Sequence, residues 1–341
     1  MASHEVPDPS TSDRVHRAPH RRTFTATTEP LTVTPTFVSR ADATPRALRP
    51  QDAGSAVDSS GHEVEQPDAR PHDLALEGDP NLAFEHFDEY WRKVHGPKFA
   101  YDEPGSTSEL VVRYDQVHRI AGGPSSAWPP PYTAMTDTAG RLLDDPAAHV
   151  PVHRRPRWDG LAYITYRTPG DVDTTLGQEK FAQRVIADER TVFRKVTRGL
   201  TREHIILPSR LRREPISLVR ILQRRPEVSR EDFQRSWLED HAALVLSQPA
   251  THTYVRRYAQ LHTIGTTMED PDAAAMDVVE ILGFASVNDV EDYLTSSDQH
   301  AITEHERSSA GEGGEFWTGV NYTVIDRLMP ELATEAHDEG R

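Results

Sequence analysis

An internal repeat constrains this chain of 341 residues more than any other feature. A Phe-x-x-x-Trp-x-x-x-His series occupies 87–95 and occurs again at 233–241. Each series is followed by an Arg-Tyr-x-Gln-x-His segment, at 113–118 in the first copy and at 257–262 in the second. Self-similarity of this depth indicates that one supersecondary unit is present twice. We therefore read the rest of the chain as additions to a duplicated module.

The second copy shows the order of elements more clearly than the first. Runs rich in β-branched and aromatic residues alternate with amphipathic helical runs, and Ser229 and Ser286 are placed to cap the helices. The strands are predicted at 216–223, 254–264, 277–284 and 316–325. The resulting order, βαββαβ, is the ferredoxin-like plan. The sequence thus predicts the α+β fold class, with two tandem ferredoxin-like domains.

The first copy departs from this pattern in two places. Its opening strand is poor, because 73–76 is short, and 24–38 is an alternative that would lie at a sheet edge, where proline is tolerated. Its loop after the His118 strand spans 39 residues from Ile120 to Asp159, against 13 in the second copy. Long loops in compact domains are usually functional lids or disordered segments. The aromatic residues of this insert, at about 121–147, favour a lid.

Composition divides the remaining chain into domains and tails. The hydrophobic fraction of 36% is low for a globular chain, and the N-terminal stretch has no sustained helical or strand period. We predict a disordered or extended tail at 1–71, the first domain at 72–208, the second domain at 214–327 and a disordered tail at 328–341.

Charge and residue usage exclude several classes of partner. The net charge of −16 argues against nucleic-acid and anionic-membrane surfaces, which need clustered positive charge. No apolar run approaches the ~20 residues of a membrane span. The pair Arg21-Arg22 is followed by polar residues rather than by the apolar region of an export signal. The absence of Cys excludes disulfides and thiol catalysis and fits a cytoplasmic location.

The candidate catalytic groups are the helix His, the strand Tyr and the strand His of each copy. Two imidazoles and a phenol in an apolar cleft form an acid–base set, because neutral His accepts a proton near pH 7 and Tyr donates to a developing oxyanion. The sets are His95, Tyr114 and His118 in the first copy, and His241, Tyr258 and His262 in the second. The alternative is that these histidines are core residues bonded to backbone. Divergence after duplication leaves open that only one copy is active.

Other polar residues give weaker signals. Arg113 and Arg257 fall on the opposite strand face, where an interface ion pair is favoured over a carboxylate anchor. His300 and His305 are five residues apart, which does not place both on one helix face, so a zinc pair is not expected. No phosphate-binding loop or nucleophile elbow is present.

These motifs resemble the EthD family of the dimeric α+β barrel superfamily. The resemblance rests on the segment from Trp91 to Pro97, on 229–241 and on the two Arg-Tyr-x-Gln-x-His segments. Because family members pair two single-domain chains, the resemblance implies that the two halves here form an intramolecular pseudo-dimeric α+β barrel. The second copy departs from the family at Ala242-Ala243, where a small residue followed by Pro is usual.

The resemblance also implies an activity. Relatives act on aromatic polyketides and other small ring compounds in a helix–sheet cleft that uses His and Tyr. It implies a cofactor-independent oxidoreductase or monooxygenase, or a dehydratase, decarboxylase or cyclase, acting on a small hydrophobic molecule without metal. Substrate contacts are expected from Trp91, Gln116, Trp128, Trp237 and Gln260. The alternatives are a non-catalytic binding or stress protein and a haem enzyme. Further homo-oligomerisation is left open.

Overall fold

Eight strands form one closed barrel in the computed structural model. The structure describes residues 30–40, 84–99, 107–132, 139, 141, 157–209, 214–266, 270–312 and 314–327. The strands are β1 Thr32–Arg40, β2 Val111–Arg119, β3 Gly160–Tyr166, β4 Phe193–Leu207, β5 Ile216–Leu222, β6 Arg257–Thr266, β7 Val278–Phe284 and β8 Glu315–Asp326. Their order around the barrel is β1-β3-β2-β8-β5-β7-β6-β4.

The barrel is built from two ferredoxin-like sheets joined edge to edge. Strands β1 to β4, here called the first half, lie in the order β4-β1-β3-β2, and strands β5 to β8, the second half, lie in the order β8-β5-β7-β6. The antiparallel pairs β2–β8 and β4–β6 close the two seams. Closure leaves neither sheet with an open edge. The predicted α+β class and the internal pseudo-dimer are confirmed.

Strand β1 corrects one expectation about the opening of the chain. It pairs with β3 on one side and with β4 on the other, so it is an interior strand and not an edge strand. It also precedes residue 72, within the range assigned to the tail. Pro35 is accommodated because it forms no pair with β4, where its missing N–H would be needed. The alternative strand at 73–76 lies outside the described residues, and the other predicted domain boundaries stay predictions.

The helices cover the outer face of the sheets. They are α1 Phe84–Tyr90, α2 Pro169–Leu176, α3 Glu179–Phe181, α4 Ala187–Val192, α5 Arg230–Ser236, α6 Ala242–Ser247, α7 Pro249–Tyr254, α8 Pro271–Ala275, α9 Val287–Thr295 and α10 Gln299–Ser309. The predicted caps are confirmed, since the side chains of Ser229 and Ser286 accept from backbone N–H groups three residues on. The predicted strand start at Tyr254 is wrong, because α7 continues through this residue.

Two π-helical turns are central to the site. Trp91–His95 continues α1, and Trp237–His241 joins α5 to α6. A π turn inside an α-helix is rare and often occurs at functional sites. Each turn begins at a Trp and ends at a His of the repeat, and the two turns lie over the sheet at equivalent positions.

The hydrophobic core has an inner and an outer part. Alternate residues of the strands fill the barrel, where Trp158, Trp317 and Met276 belong to one buried cluster. The other residues face the helices, with Tyr114 buried in the first-half layer and Tyr258 in the second-half layer. No helix within the described part of the chain is long and apolar enough to cross a membrane.

Candidate active sites in the two halves

A buried glutamine connects the strand residues of the repeat in the first half. Gln116 Nε2 donates to the backbone oxygen of Trp91 at 3.0 Å and to Tyr114 Oη at 2.9 Å. Gln116 Oε1 accepts from His118 Nε2 at 3.0 Å. The strand therefore directs Tyr, Gln and His to the helix-covered face, as its period of two predicts.

The second half repeats this network. Gln260 Nε2 donates to the Trp237 backbone oxygen at 3.1 Å and to Tyr258 Oη at 2.6 Å, and Gln260 Oε1 accepts from His262 Nε2 at 2.9 Å. All four side chains are buried. The amides that were predicted to contact substrate are thus engaged in equivalent internal hydrogen bonds in both halves.

The strand histidines have different second partners. His118 Nδ1 contacts the Asp88 carboxylate, and this contact holds the pKa of Asp88 below its usual range. The rings of His262 and His204 lie 4.7 Å apart across the β4–β6 seam. Burial, with a smaller effect from His204, lowers the pKa of His262 to about 3, so its imidazole is neutral at pH 7.

In the first half the helix histidine forms a dyad with an aspartate. His95 Nδ1 lies 2.8 Å from Asp188 Oδ2. Tyr90 Oη donates to the other Asp188 oxygen at 2.7 Å, and Lys98 forms an ion pair with the same carboxylate. Burial acts to raise the pKa of Asp188, but hydrogen bonds from His95, Lys98 and Tyr90 outweigh it and lower the pKa to about 2. An ionised carboxylate at Nδ1 leaves Nε2 as the proton acceptor of the imidazole.

In the second half a buried carboxylate lies among the corresponding residues. Glu280 Oε1 accepts from Trp237 Nε1 at 2.8 Å and from Tyr258 Oη, and it lies 3.4 Å from His241 Nε2. Arg220 Nη1 donates to Glu280 Oε2 at 3.0 Å. Burial acts to raise the pKa of Glu280, but the nearby His241, Arg220 and Tyr258 lower it to about 2. Glu280 is therefore a carboxylate at pH 7.

Arg220 and His305 extend this buried group towards helix α10. Arg220 Nη2 lies 2.5 Å from Glu306 Oε1, so the guanidinium stands between two carboxylates. His241 Nδ1 lies 3.2 Å from His305 Nδ1. Both ring nitrogens of His241 thus face protein groups.

The sheet register shows what changed between the halves. Gln116 is paired with Ala162 on β3, whereas Gln260 is paired with Glu280 on β7. The neighbouring strand on the other side of β3 is β1, where Ala162 is paired with Thr36. The neighbouring strand on the other side of β7 is β5, where Glu280 is paired with Arg220. At these strand positions the first half therefore has neither Glu nor Arg. Its own buried ion pair joins Arg198 of β4 to Glu189 of α4.

The orientation of the tryptophan changes as well. Trp91 lies over Gly160, where an added Cβ would come within 2.2 Å of its ring, and it stacks on His118 with centroids 4.2 Å apart. In the second half, Val278 occupies the position that Gly160 occupies in the first, since each follows the equivalent aspartate. Trp237 stacks on His241 instead, with ring centroids 3.9 Å apart. Trp91 Nε1 is buried without a well-formed hydrogen bond to any described residue, whereas Trp237 Nε1 reaches Glu280.

The first-half cleft holds a small enclosed cavity of about 10 Å³, room for a single water. Trp91, His95 and Tyr114 line it, together with apolar side chains such as Phe99 and Phe181 and the ion pair of Glu189 with Arg198. His95 and Tyr114 thus share one cavity, whereas His118, the third member of the predicted set, does not line it. Their catalytic roles stay predictions.

The second half contains a cavity of about 860 Å³, here called the second-half cleft. It lies between the outer face of β5 and β8 and helices α9 and α10, and Arg220 and Glu306 line it. Neither His241 nor Tyr258 reaches it, because both are completely buried behind this ion pair.

Residues 121–132 of the insert contact the second half. Ser126 N donates to Phe316 O at 2.9 Å, and Phe316 N donates to Ser126 Oγ at 2.6 Å. Tyr132 Oη donates to Glu291 at 3.1 Å, and Trp128 stacks on Tyr132. The insert therefore extends from the first half over the second, where Pro129 and Pro130 border the second-half cleft. Trp128 is not among the residues lining that cleft.

The predicted arginines lie on the opposite strand face. Arg257 Nη2 donates to Glu203 Oε1 of β4 at 2.8 Å and to Tyr163 Oη at 3.2 Å, which joins the two halves inside the barrel. Arg113 donates to Asp115 on its own strand. The interface ion pair predicted for Arg257 is confirmed.

The haem alternative stays a prediction, and two cavities among the described residues bear on it. The cavity that a histidine lines has room for one water, and the lining of the larger second-half cleft contains no histidine that could ligate iron. Among the described residues, no group of three or more His, Asp or Glu side chains is arranged to hold a metal ion.

Three residues that organise the sites were not predicted from the sequence. Glu280 had a signal, since it is the one charged residue within an apolar strand run. Arg220 gave the same signal, since it is the one charged residue in the apolar run of β5. Asp188 had none, because it lies 93 positions from His95 within an ordinary charged helix.

A known protein family matches both copies of the repeat. A model of the EthD domain matches residues 79–193 and 225–308. No curated protein matches the sequence. Among solved structures, an anthrone oxidase-like protein covers 88% of this chain and 95% of its own length, with a TM-score of 0.47 and 9% identity. A proposed monooxygenase from Lactobacillus acidophilus covers 88% and 97%, with a TM-score of 0.42 and 10% identity. At this distance neither structure assigns an activity to the chain.

Proposed function

The chain belongs to the EthD domain family, and we propose that its first half is an enzyme active site for a small hydrophobic, aromatic or polyketide-like molecule. The reaction classes are cofactor-independent oxidation or monooxygenation, and dehydration, decarboxylation or cyclisation. The first step that we assign to this site is removal of a proton from an activated carbon or hydroxyl.

His95 is the proposed base. Asp188 holds its Nδ1–H, so Nε2 is free to accept a proton, and the carboxylate stabilises the imidazolium that forms. His95 is almost fully buried and lines the cavity, where a low dielectric strengthens the pairing with Asp188.

Tyr114 is the proposed donor to the oxyanion. Burial raises its pKa well above the usual value, so the phenol keeps its proton at pH 7. Its oxygen accepts from Gln116, and no described residue accepts its proton. That proton is available to a substrate oxygen, whereas the equivalent Tyr258 donates to Glu280.

The assignment to the first half rests on Ala162, which occupies the strand position that Glu280 occupies in the second half. In the second half, Glu280 binds Tyr258 and Trp237 and fills the position where substrate would lie. In the first half that position is an alanine beside a cavity. A ring-sized substrate binds there only after the apolar lining, including Phe99 and Phe181, moves outward. We assign the His241 and Tyr258 set a structural role.

Proton abstraction can be tested without knowing the full reaction. Anthrone and related aromatic ketones with an acidic C–H would be incubated anaerobically in D₂O, and deuterium incorporation followed by mass spectrometry. The wild-type protein is expected to accelerate exchange. His95→Ala should reduce that acceleration by about 10²- to 10⁴-fold. Asp188→Asn should also reduce it, because Nδ1 then loses its ionised partner, and Tyr114→Phe should slow it while leaving the fold intact.

His241→Ala is the matched control, since it removes the equivalent imidazole from the other half. It should retain exchange if it folds normally by circular dichroism. Loss of exchange in His241→Ala with full exchange in His95→Ala would assign the wrong half. Equal exchange in both variants and in wild type would favour the non-catalytic binder, and native mass spectrometry for an unconverted co-purified ligand would then identify it. A Soret band in protein from haem-replete cells would contradict the cofactor-independent assignment.

A further inference from the structure

Two consecutive residues of helix α4 carry carboxylates that point to different elements. Asp188 contacts His95 on the π turn that continues α1, whereas Glu189 forms an ion pair with Arg198 of β4. Consecutive residues of an α-helix project about 100° apart, so one helix can reach two elements in this way. The proposed catalytic step uses Asp188 but gives no role to Glu189 and Arg198, although their side chains are only 6% and 10% exposed.

The second half contains the same arrangement. Helix α10 precedes β8 as α4 precedes β4, and it carries two consecutive residues, His305 and Glu306. His305 Nδ1 lies 3.2 Å from Nδ1 of the helix histidine, His241, and Glu306 forms an ion pair with Arg220 of β5. In each half, therefore, the first residue of the pair contacts the helix histidine at Nδ1, and the second binds an arginine of the sheet. Its occurrence in both halves indicates that the arrangement has a structural role.

The residue that contacts the helix histidine is the one that changed between the halves. Asp188 is a carboxylate, which accepts the Nδ1–H of its histidine and leaves Nε2 as the proton acceptor. His305 is an imidazole, which can either donate to Nδ1 or accept from it, and so does not fix one tautomer. The glutamate that binds the sheet is present in both halves. Attachment of the helix to the sheet is therefore separable from the chemistry of the histidine.

The ion pair of Glu189 with Arg198 supplies a directional contact that the apolar packing of α4 does not. Val192 of this helix is buried in the first-half core, but burial of apolar surface is non-directional and does not determine where Asp188 points. A hydrogen bond between guanidinium and carboxylate is strong and directional. Because Glu189 precedes the next turn of the same short helix, its attachment to β4 fixes the rotation of α4 and with it the direction of Asp188.

We propose that Glu189 and Arg198 are positioning residues for the dyad of His95 and Asp188. The ion pair holds α4 against β4 at the rotation that places Asp188 Oδ2 on Nδ1 of His95, and it thereby keeps Nε2 as the proton acceptor. This inference rests on the proposed role of His95 as the base. It adds two residues that act through Asp188 and not on the substrate.

The tautomer of His95 tests the proposal without a substrate. In full-length protein labelled with ¹⁵N-histidine, chemical shifts distinguish ring nitrogens that carry a proton from those that do not, and the His95 signals are assigned by their loss in His95→Gln. Wild type should have Nδ1 protonated and Nε2 unprotonated in the neutral ring. Glu189→Gln and Arg198→Met should each give a mixture of the two tautomers, as Asp188→Asn should. Arg198→Lys keeps the cation and should keep the wild-type pattern.

Deuterium exchange gives a second readout through a double-mutant cycle. Glu189→Gln should reduce the acceleration of exchange by about tenfold to hundredfold, the effect of a small misplacement of a catalytic group. In the Asp188→Asn background the same substitution should change exchange by less than about twofold, because its effect passes through Asp188. Since Glu189 also lines the cavity, an equal reduction in both backgrounds would indicate direct contact with the substrate and overturn the proposal.

Glu306→Gln is the matched control, because it breaks the equivalent ion pair of glutamate and arginine in the second half. It should leave the His95 tautomer and the exchange rate as in wild type. The proposal is also overturned if Glu189→Gln and Arg198→Met, folded by circular dichroism, both keep the wild-type tautomer. Dependence of the tautomer on Glu189 in a protein that shows no exchange would support the positioning role and contradict the proposed function.

Discussion

Replacing Glu280 by Gln tests whether the buried ion pair of the second half stabilises the fold. The substitution keeps the size of the side chain and an oxygen for Trp237 Nε1, but it places an amide where the carboxylate faces Arg220. Arg220 keeps Glu306 as a partner. Removing one member of a buried ion pair typically costs about 3–5 kcal/mol, because the other charge stays buried.

The pKa of Glu280 gives a second estimate of the same quantity. It falls from 4.5 to about 2 on folding, and each unit is worth about 1.4 kcal/mol, which gives roughly 3 kcal/mol. Because the folded pKa is the lower one, this stability is fully present above pH 4.5 and is lost as the pH falls towards 2. The difference in unfolding free energy between wild type and Glu280→Gln should therefore be about 3 kcal/mol at pH 7 and should shrink below pH 4.5.

The assay is urea unfolding followed by circular dichroism at several pH values, with midpoints compared at a common slope. Glu239→Gln is the matched control, since Glu239 is exposed on the neighbouring π turn and should change stability by less than about 0.5 kcal/mol. A Glu280→Gln protein as stable as the control at pH 7 would show that the buried ion pair does not stabilise the fold. A difference that stays constant between pH 7 and pH 3 would contradict the lowered pKa of Glu280.

Two further substitutions test the same structure by unfolding. Trp237→Phe should destabilise the protein by about 1.5–3 kcal/mol more than Trp91→Phe. Both substitutions remove a similar volume, but only Trp237 Nε1 donates to a carboxylate. Equal losses of stability would contradict the different orientations of the two rings. Arg257→Met should cost about 3 kcal/mol by leaving Glu203 buried without its cation at the β4–β6 seam, and a loss below 0.5 kcal/mol would show that this pair does not stabilise barrel closure.

The repeat made much of the fold predictable. Period four placed Trp91 and His95 on the inner face of a helix, and period two placed Tyr114, Gln116 and His118 on the covered face of a strand. These are local geometric rules, and they hold in both halves. The ferredoxin-like order followed from the alternation of patterns, and the internal pseudo-dimer from the presence of two copies.

Contacts between distant segments were not predictable in this way. The opening strand of the first half precedes residue 72, since 32–40 has both β3 and β4 as partners in the closed barrel. The insert crosses to the other half, where the β8 backbone supplies its hydrogen bonds. The carboxylate that orients His95 comes from a helix whose sequence shows only ordinary charged residues.

Spacing along the chain is sufficient to show that one module occurs twice and which faces of its helices and strands are buried. How the two copies differ in chemistry depends on contacts between segments that are distant in the chain. Strand register places Glu280 and Arg220 among the groups of the second half, and Ala162 and Thr36 at the same positions in the first. A buried carboxylate binds the Tyr and Trp in one half, and in the other half an alanine at the same strand position borders the cavity beside His95.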